Sequence, residues 1–148
     1  MSKDPIVAGT DGSASAQLAV DRAGELALAL GAPVHIVSAF ASTSPAAWLA
    51  AAGGLATAEL ATAEQEQTRA EEIVTRARGR LESRGISVHT HICSGEPAEA
   101  LVTIAEAERA QMIVVGNRGM TGARRVLGSV PNRVSHRARC GVLIVPTC

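Results

Sequence analysis

Short apolar runs recur along this chain, and between them lie stretches whose apolar positions repeat every three or four residues. Ile6 to Ala8, Val34 to Val37, Met112 to Val115 and Val142 to Val145 are four of the runs. Runs this short and apolar suit strands buried on both faces of a parallel sheet. Ala16, Ala19, Val20, Ala23, Leu26, Ala27 and Leu30 form the stripe of a helix over Ala14–Leu30, which Gly31 stops. Ala70, Ile73, Val74, Ala77 and Leu81 stripe a second helix over 57–84, whose opposite face, with Arg69, Arg76 and Arg80, is solvated. A third helix follows Gly95-Glu96-Pro97 to about Arg109, with Leu101, Ile104 and Ala105 inward, and a fourth runs from near Ser129 to Arg137. Strands and helices that alternate in this way predict an α/β fold, a doubly wound parallel sheet of five strands with helices on both faces. One domain spanning residues 1–148 accounts for the chain.

Ile86 to Ile92 differs from the other runs. Ile86, Val88, Thr90 and Ile92 point one way and Ser87, His89 and His91 the other, the pattern of a strand partly open to water. It belongs at an edge. With the most apolar strands, the first and fourth, in the centre, the expected order is 3-2-1-4-5. In such a Rossmann-like sheet the ligand crevice opens at the carboxyl ends of the strands where the winding reverses, between strands one and four. Asp11 and Gly116 stand at those two ends.

The stretch from Gly116 to Val130 then has the character of an anion cradle. Gly116, Gly119, Gly122 and Gly128 let the backbone approach a ligand closely, and Gly128-Ser129 sits where a helix begins. Pro131 fits a first helical turn, where a missing N–H costs nothing. Asp11-Gly12-Ser13 is a tight turn in which Ser13 or Asp11 caps the next helix. The site expected from this layout has Asp11 accepting from ribose hydroxyls. Backbone N–H groups of Gly116, Gly119, Gly128, Ser129 and Val130, with the Ser129 hydroxyl, face phosphates.

Charge is segregated rather than in excess. The chain has 14 basic and 14 acidic residues, yet after Glu108 no Asp or Glu occurs, while Arg109, Arg118, Arg124, Arg125, Arg133, Arg137 and Arg139 do. One basic segment on a neutral protein favours a small anionic ligand over nucleic acid. Aromatic residues are 1 % of the chain, too few for the stacking platforms of single-strand binders. Cys93, Cys140 and Cys148 have no metal-ligand spacing, and Met-Ser-Lys-Asp-Pro lacks the apolar core of a signal peptide, so a cytoplasmic location is expected, with no membrane span. His89, His91 and Cys93 share one strand face, which alternation explains without a metal. No metal held by protein side chains is expected. A P-loop is absent, and Thr10, Ser13, Thr121 and Ser129 have no base placed to activate them, so catalysis is not expected. Phe40 to about Leu55, with Trp48, Pro45 and Gly53-Gly54, has no periodicity and is either a functional lid or a disordered insertion.

Gly-Thr-Asp-Gly-Ser after the first strand, Gly-Glu-Pro before the third helix, Gly116-x2-Gly119 and then Gly128-Ser129 before a final apolar strand together resemble the universal stress protein family along nearly the whole chain. Eight residues, Met120 to Leu127, separate Gly119 from Gly128, one fewer than the family's usual nine. The resemblance implies an adenine-nucleotide site of Thr10, Asp11, Ala39, Gly116, Arg118, Gly119, Gly128, Ser129 and Val130, with Ala39 backbone at the adenine. Val7 and Gly12 would line the same crevice. ATP is the favoured ligand, with Mg2+ or Mn2+ held through its phosphates and hydrolysis slow or absent, in a stress-response sensor or regulator. Cyclic AMP is the alternative ligand, and a nucleotide-free scaffold that recruits a protein the alternative role. The resemblance also implies a homodimer through Val142 to Val145, an apolar edge that would otherwise invite aggregation.

Overall fold

The computed structural model describes residues 3–40, 56–117 and 129–146, with side chains described from residue 63 in the second segment. The elements are β1 (Ile6–Gly9), α1 (Ala14–Leu30), β2 (Val34–Phe40), α2 (Ala56–Glu82), β3 (Val88–Ser94), α3 (Pro97–Ala107), β4 (Met112–Gly116), α4 (Val130–Arg137) and β5 (Gly141–Val145). All strand pairs are parallel, and the order is β3-β2-β1-β4-β5. Ile6 pairs with Val34 on one side and Met112 on the other, so β1 and β4 are neighbours as the patterning predicts.

The period of two divides the sheet into two cores. Ile6, Ala8, Ile36 and Val114 face α1 and α2, meeting Val20, Ala23, Val74 and Leu81. Val7, Val37, Ile113 and Val115 face α3 and α4, meeting Leu101, Ala105 and Val134. With neither face of β1 exposed, apolar burial at about 25 cal/mol per Å² holds the central strands. The half-polar β3 is an edge strand, as expected.

Local sequence sets the helix ends. At α1, Ser13 Oγ accepts from the Ala16 N–H at 3.2 Å, while Asp11 Oδ1 accepts from the Ser13 N–H at 2.9 Å. Gly31, at φ 66°, ends the helix. Leu30, which the stripe places inward, is instead 38 % exposed because it occupies the final turn, where Gly31 turns the chain toward β2. Helix α3 starts on Glu96, whose carboxylate accepts from the N–H groups of Ala98 (3.1 Å) and Glu99 (3.2 Å). It closes with Ala110 N–H donating to Ala105 O and Arg109 N–H to Glu106 O, a Schellman ending with Arg109 at φ 55°.

Candidate nucleotide-binding cleft

A cleft of about 160 Å³ opens at the carboxyl ends of β1 and β4. Leu101, Val115, Pro97, Val130 and Pro131 give it apolar walls, and Thr10, Asp11, Ser13 and Ser15 give it polar groups. Three helices begin at its rim: α1 just after Ser13, α3 at Pro97 and α4 at Val130. Each contributes the positive end of its dipole and the orphan N–H groups of its first turn. The α3 terminus is met by the Glu96 carboxylate and the entry to α1 by Asp11, whose Oδ1 accepts from the Ser13 N–H, which leaves α4, capped by the neutral Ser129 hydroxyl, as the end that most favours an anion. At α4, Ser129 is the N-cap, its Oγ accepting from Asn132 N–H at 3.3 Å and its carbonyl from Arg133 N–H. The hydroxyl and the amides of the turn are thereby fixed together.

The structure divides the expected residues. Thr10, Asp11, Gly116 and Val130 line the cleft, and Ser129 caps the helix on its rim. Thr10 Oγ1 accepts from Gly12 N–H at 3.1 Å and shapes the turn. Ala39 lies near the end of β2, opposite Cys93, and is not part of this lining. Arg118, Gly119 and Gly128 lie outside the described residues, as do Trp48, Arg124 and Arg125. Two crevice-lining expectations are corrected. Val7 is fully buried, its side chain turned into the α3 and α4 core by strand alternation. Gly12, at φ 82°, turns instead toward Ile73 of α2, on the other side of the sheet.

Gly116 has a role the sequence did not suggest. A Cβ there would stand 2.7 Å from the Ser15 carbonyl oxygen, so the glycine is required by the close approach of β4 to the first turn of α1. Ser15 itself was missed. Its Oγ is buried, has no hydrogen-bond partner among the described residues, and borders the cleft. The next amide, Asn117 N–H, donates to Val145 O at 3.1 Å and is committed to the sheet. Since backbone groups alternate in direction along a strand, the Gly116 N–H turns the opposite way, toward β1.

The arginine-rich end is also less open than its composition implies. Arg133 pairs with Glu96 at 2.9 Å, Arg137 with the same carboxylate at 3.9 Å, and Arg139 with Glu106 at 3.6 Å. Arg133 and Arg137 join α4 to the start of α3, and Arg139, just beyond α4, reaches the end of α3; none of the three lines the cleft.

The family model of the universal stress protein family matches residues 3–146. The chain belongs to the universal stress protein family. Among its relatives is a universal stress protein of Mycobacterium tuberculosis, 38 % identical over 148 residues, covering 96 % of this chain and 95 % of the relative. This family member also superposes on a crystal structure of a universal stress protein in complex with cAMP, with a TM-score of 0.76, 31 % identity and full coverage of both chains. A crystal structure of a Mycobacterium tuberculosis protein is similar at 36 % identity and a TM-score of 0.60, covering 100 % of this chain and 98 % of that one. A universal stress protein of Archaeoglobus fulgidus, 23 % identical with a TM-score of 0.74, shares the fold. The doubly wound Rossmann-like sheet is therefore that of the family.

Proposed function

We propose that this chain binds an adenine nucleotide in the cleft between β1 and β4 and acts as a stress-response sensor or regulator rather than as an enzyme with rapid turnover. The observation that carries this reading is the meeting of the α1 and α4 N-termini at the point where the sheet reverses its winding, beside Asp11 and a Ser15 hydroxyl that has no hydrogen-bond partner among the described residues. Asp11 is suited to ribose hydroxyls and Ser129 with the α4 amides to a phosphate. Apolar Leu101 and Val115 form the base of the cleft between them. Slow or absent hydrolysis fits a lining that, among the described residues, contains Asp11 but no histidine to share proton transfer.

ATP, with Mg2+ or Mn2+ on its phosphates, is the favoured ligand. Cyclic AMP is the second reading, supported by the 31 % identical relative whose structure holds cAMP. Calorimetry with ATP, ADP, AMP and cyclic AMP, with and without magnesium, separates them. Saturable binding that falls in Ser129→Glu, where a carboxylate meets the phosphate position, is the expected result. Absence of heat with all four nucleotides would leave the scaffold reading in its place. The apolar edge strand β5, with Val142, Leu143 and Ile144 each partly exposed, supports a homodimer paired along it, and a monomer by light scattering at micromolar concentration would overturn that.

A further inference from the structure

Away from the cleft, the face of the sheet under α3 carries a second cluster of chemically capable groups. His35 is the second residue of β2, His91 the fourth of β3, and Glu108 the C-cap of α3. His35 Nδ1 and His91 Nε2 are 2.7 Å apart, and each offers a ligand atom within 4.8 Å of the other and of a Glu108 carboxylate oxygen. Strand alternation and parallel pairing produce the juxtaposition, since His35 opposes His89 and Val37 opposes His91 on the same face. Cys93 is on that face too, but it packs against the α3 and α4 core and is not one of the three.

We propose that His35, His91 and Glu108 bind a divalent transition-metal ion of the zinc class. Two imidazoles and a carboxylate from three separate elements, with a fourth position left to water, match the ligand types and count of a tetrahedral zinc site. With Zn–N near 2.0–2.1 Å, tetrahedral ligand atoms lie about 3.3 Å apart. The ion would replace the hydrogen bond between the two histidine nitrogens: the donor ring shifts its proton to its other nitrogen, and the two atoms part by about 0.6 Å from their present 2.7 Å, a side-chain rotation rather than a backbone movement.

The surroundings favour a cation. Glu108 ends α3, so the negative pole of that helix points at the group. His35 is 7 % exposed, and its Nδ1 and the Nε2 of His91 face each other directly, one donating to the other. The cations that border the same hollow are engaged elsewhere. Lys3 Nζ donates to Leu30 O at 2.6 Å, and Arg78 pairs with Glu82 at 2.7 Å. His89 stacks on His35 with ring centroids 4.7 Å apart and fixes that ring's orientation, which makes it a positioning residue rather than a ligand.

The test uses the full, untagged chain, with zinc alone titrated against a chromophoric chelator and cobalt(II) as a visible-absorption probe. One ion per chain is expected, with a cobalt band of tetrahedral intensity. Glu108→Gln and His91→Gln each weaken zinc by about tenfold or more, with circular dichroism unchanged, whereas Cys93→Ser and Cys140→Ser leave it intact. Glu108 is exposed, so its variant remains informative even if His35 variants fail to fold. Zinc binding that survives both ligand variants, or that disappears with the cysteines instead, overturns the proposal. So does the absence of binding in the unmodified chain. Ser129→Glu, at the other end of the sheet, keeps the metal whether or not the nucleotide reading stands.

Discussion

Replacing Gly116 by alanine tests what that residue is for. An alanine Cβ would lie 2.7 Å from the Ser15 carbonyl oxygen and 3.0 Å from its carbonyl carbon, where ordinary contact begins at 3.4 Å. It would also strike Ser15 Oγ. The obstacle is backbone in the first turn of α1, pinned by the Ser13 cap, so β4 and α1 must separate by about 0.7 Å. Overpacking of that kind costs about 1–3 kcal/mol. At about 2–4 °C per kcal/mol for a domain of this size, the melting temperature should fall by about 2–12 °C. Urea unfolding without nucleotide is the assay, and the midpoint should drop with the slope unchanged. Ser15→Gly in the same background should recover only a minor part, because it removes the hydroxyl and leaves the carbonyl. A variant with the midpoint of the parent and weakened nucleotide binding would refute the packing argument and assign the glycine to the ligand alone.

Three further perturbations have defined outcomes. Glu96→Ala removes the α3 cap, worth about 0.5–2 kcal/mol, together with the half-exposed Arg133 pair, worth about 0.2–1 kcal/mol; urea denaturation should show their sum, and a double-mutant cycle with Arg133→Ala should isolate the smaller part. Arg109→Gly should stabilise by about 0.5–1 kcal/mol, since relief of the left-handed penalty of about 1–2 kcal/mol exceeds the added chain entropy; an unchanged denaturation midpoint would contradict this. Stability should fall as pH drops below the ordinary histidine value of 6.5, because burial lowers the folded His35 and His91 values and the unfolded chain binds protons first. The loss continues until the folded groups themselves titrate, with Glu108 opposing the shift. Urea midpoints from pH 5 to 8 should show it, and His91→Gln should flatten the curve.

Most of the fold was legible because its signals are periodic and mutually consistent. The buried β1 and β4, the alternation of β3 and the Ser13, Gly31 and Ser129 boundaries each follow from local residue chemistry. What escaped depends on proximity between elements that no spacing encodes. Gly24 sits within α1 with no local signal of its own, yet a Cβ there would lie 2.7 Å from Leu81 of α2. Glu96 was part of a turn motif, and its bridge to Arg133 exists only once α3 and α4 pack side by side. The same packing occupies arginines that the sequence left available for a ligand. In the cleft, Asp11 and Gly116 were placed by topology, whereas Ser15 carried no signal, being one small residue near a helix start. His91 drew attention through alternation, but its contacts His35 and Glu108 lie on other elements.

The hydrogen bond from Asn117 to Val145 has a mechanical implication. The outermost strand, on which a second subunit would add its own, is fastened to the first residue beyond β4, where the chain leaves the sheet for the glycine-rich segment. That strand is also paired with Met112 to Gly116 along its whole length, so a slip of β5 would break the β4–β5 ladder together with this bond and shift Val145 in the core. If a second copy pairs along β5 and a nucleotide fills the cleft, as proposed, the two events would meet at this exit from β4.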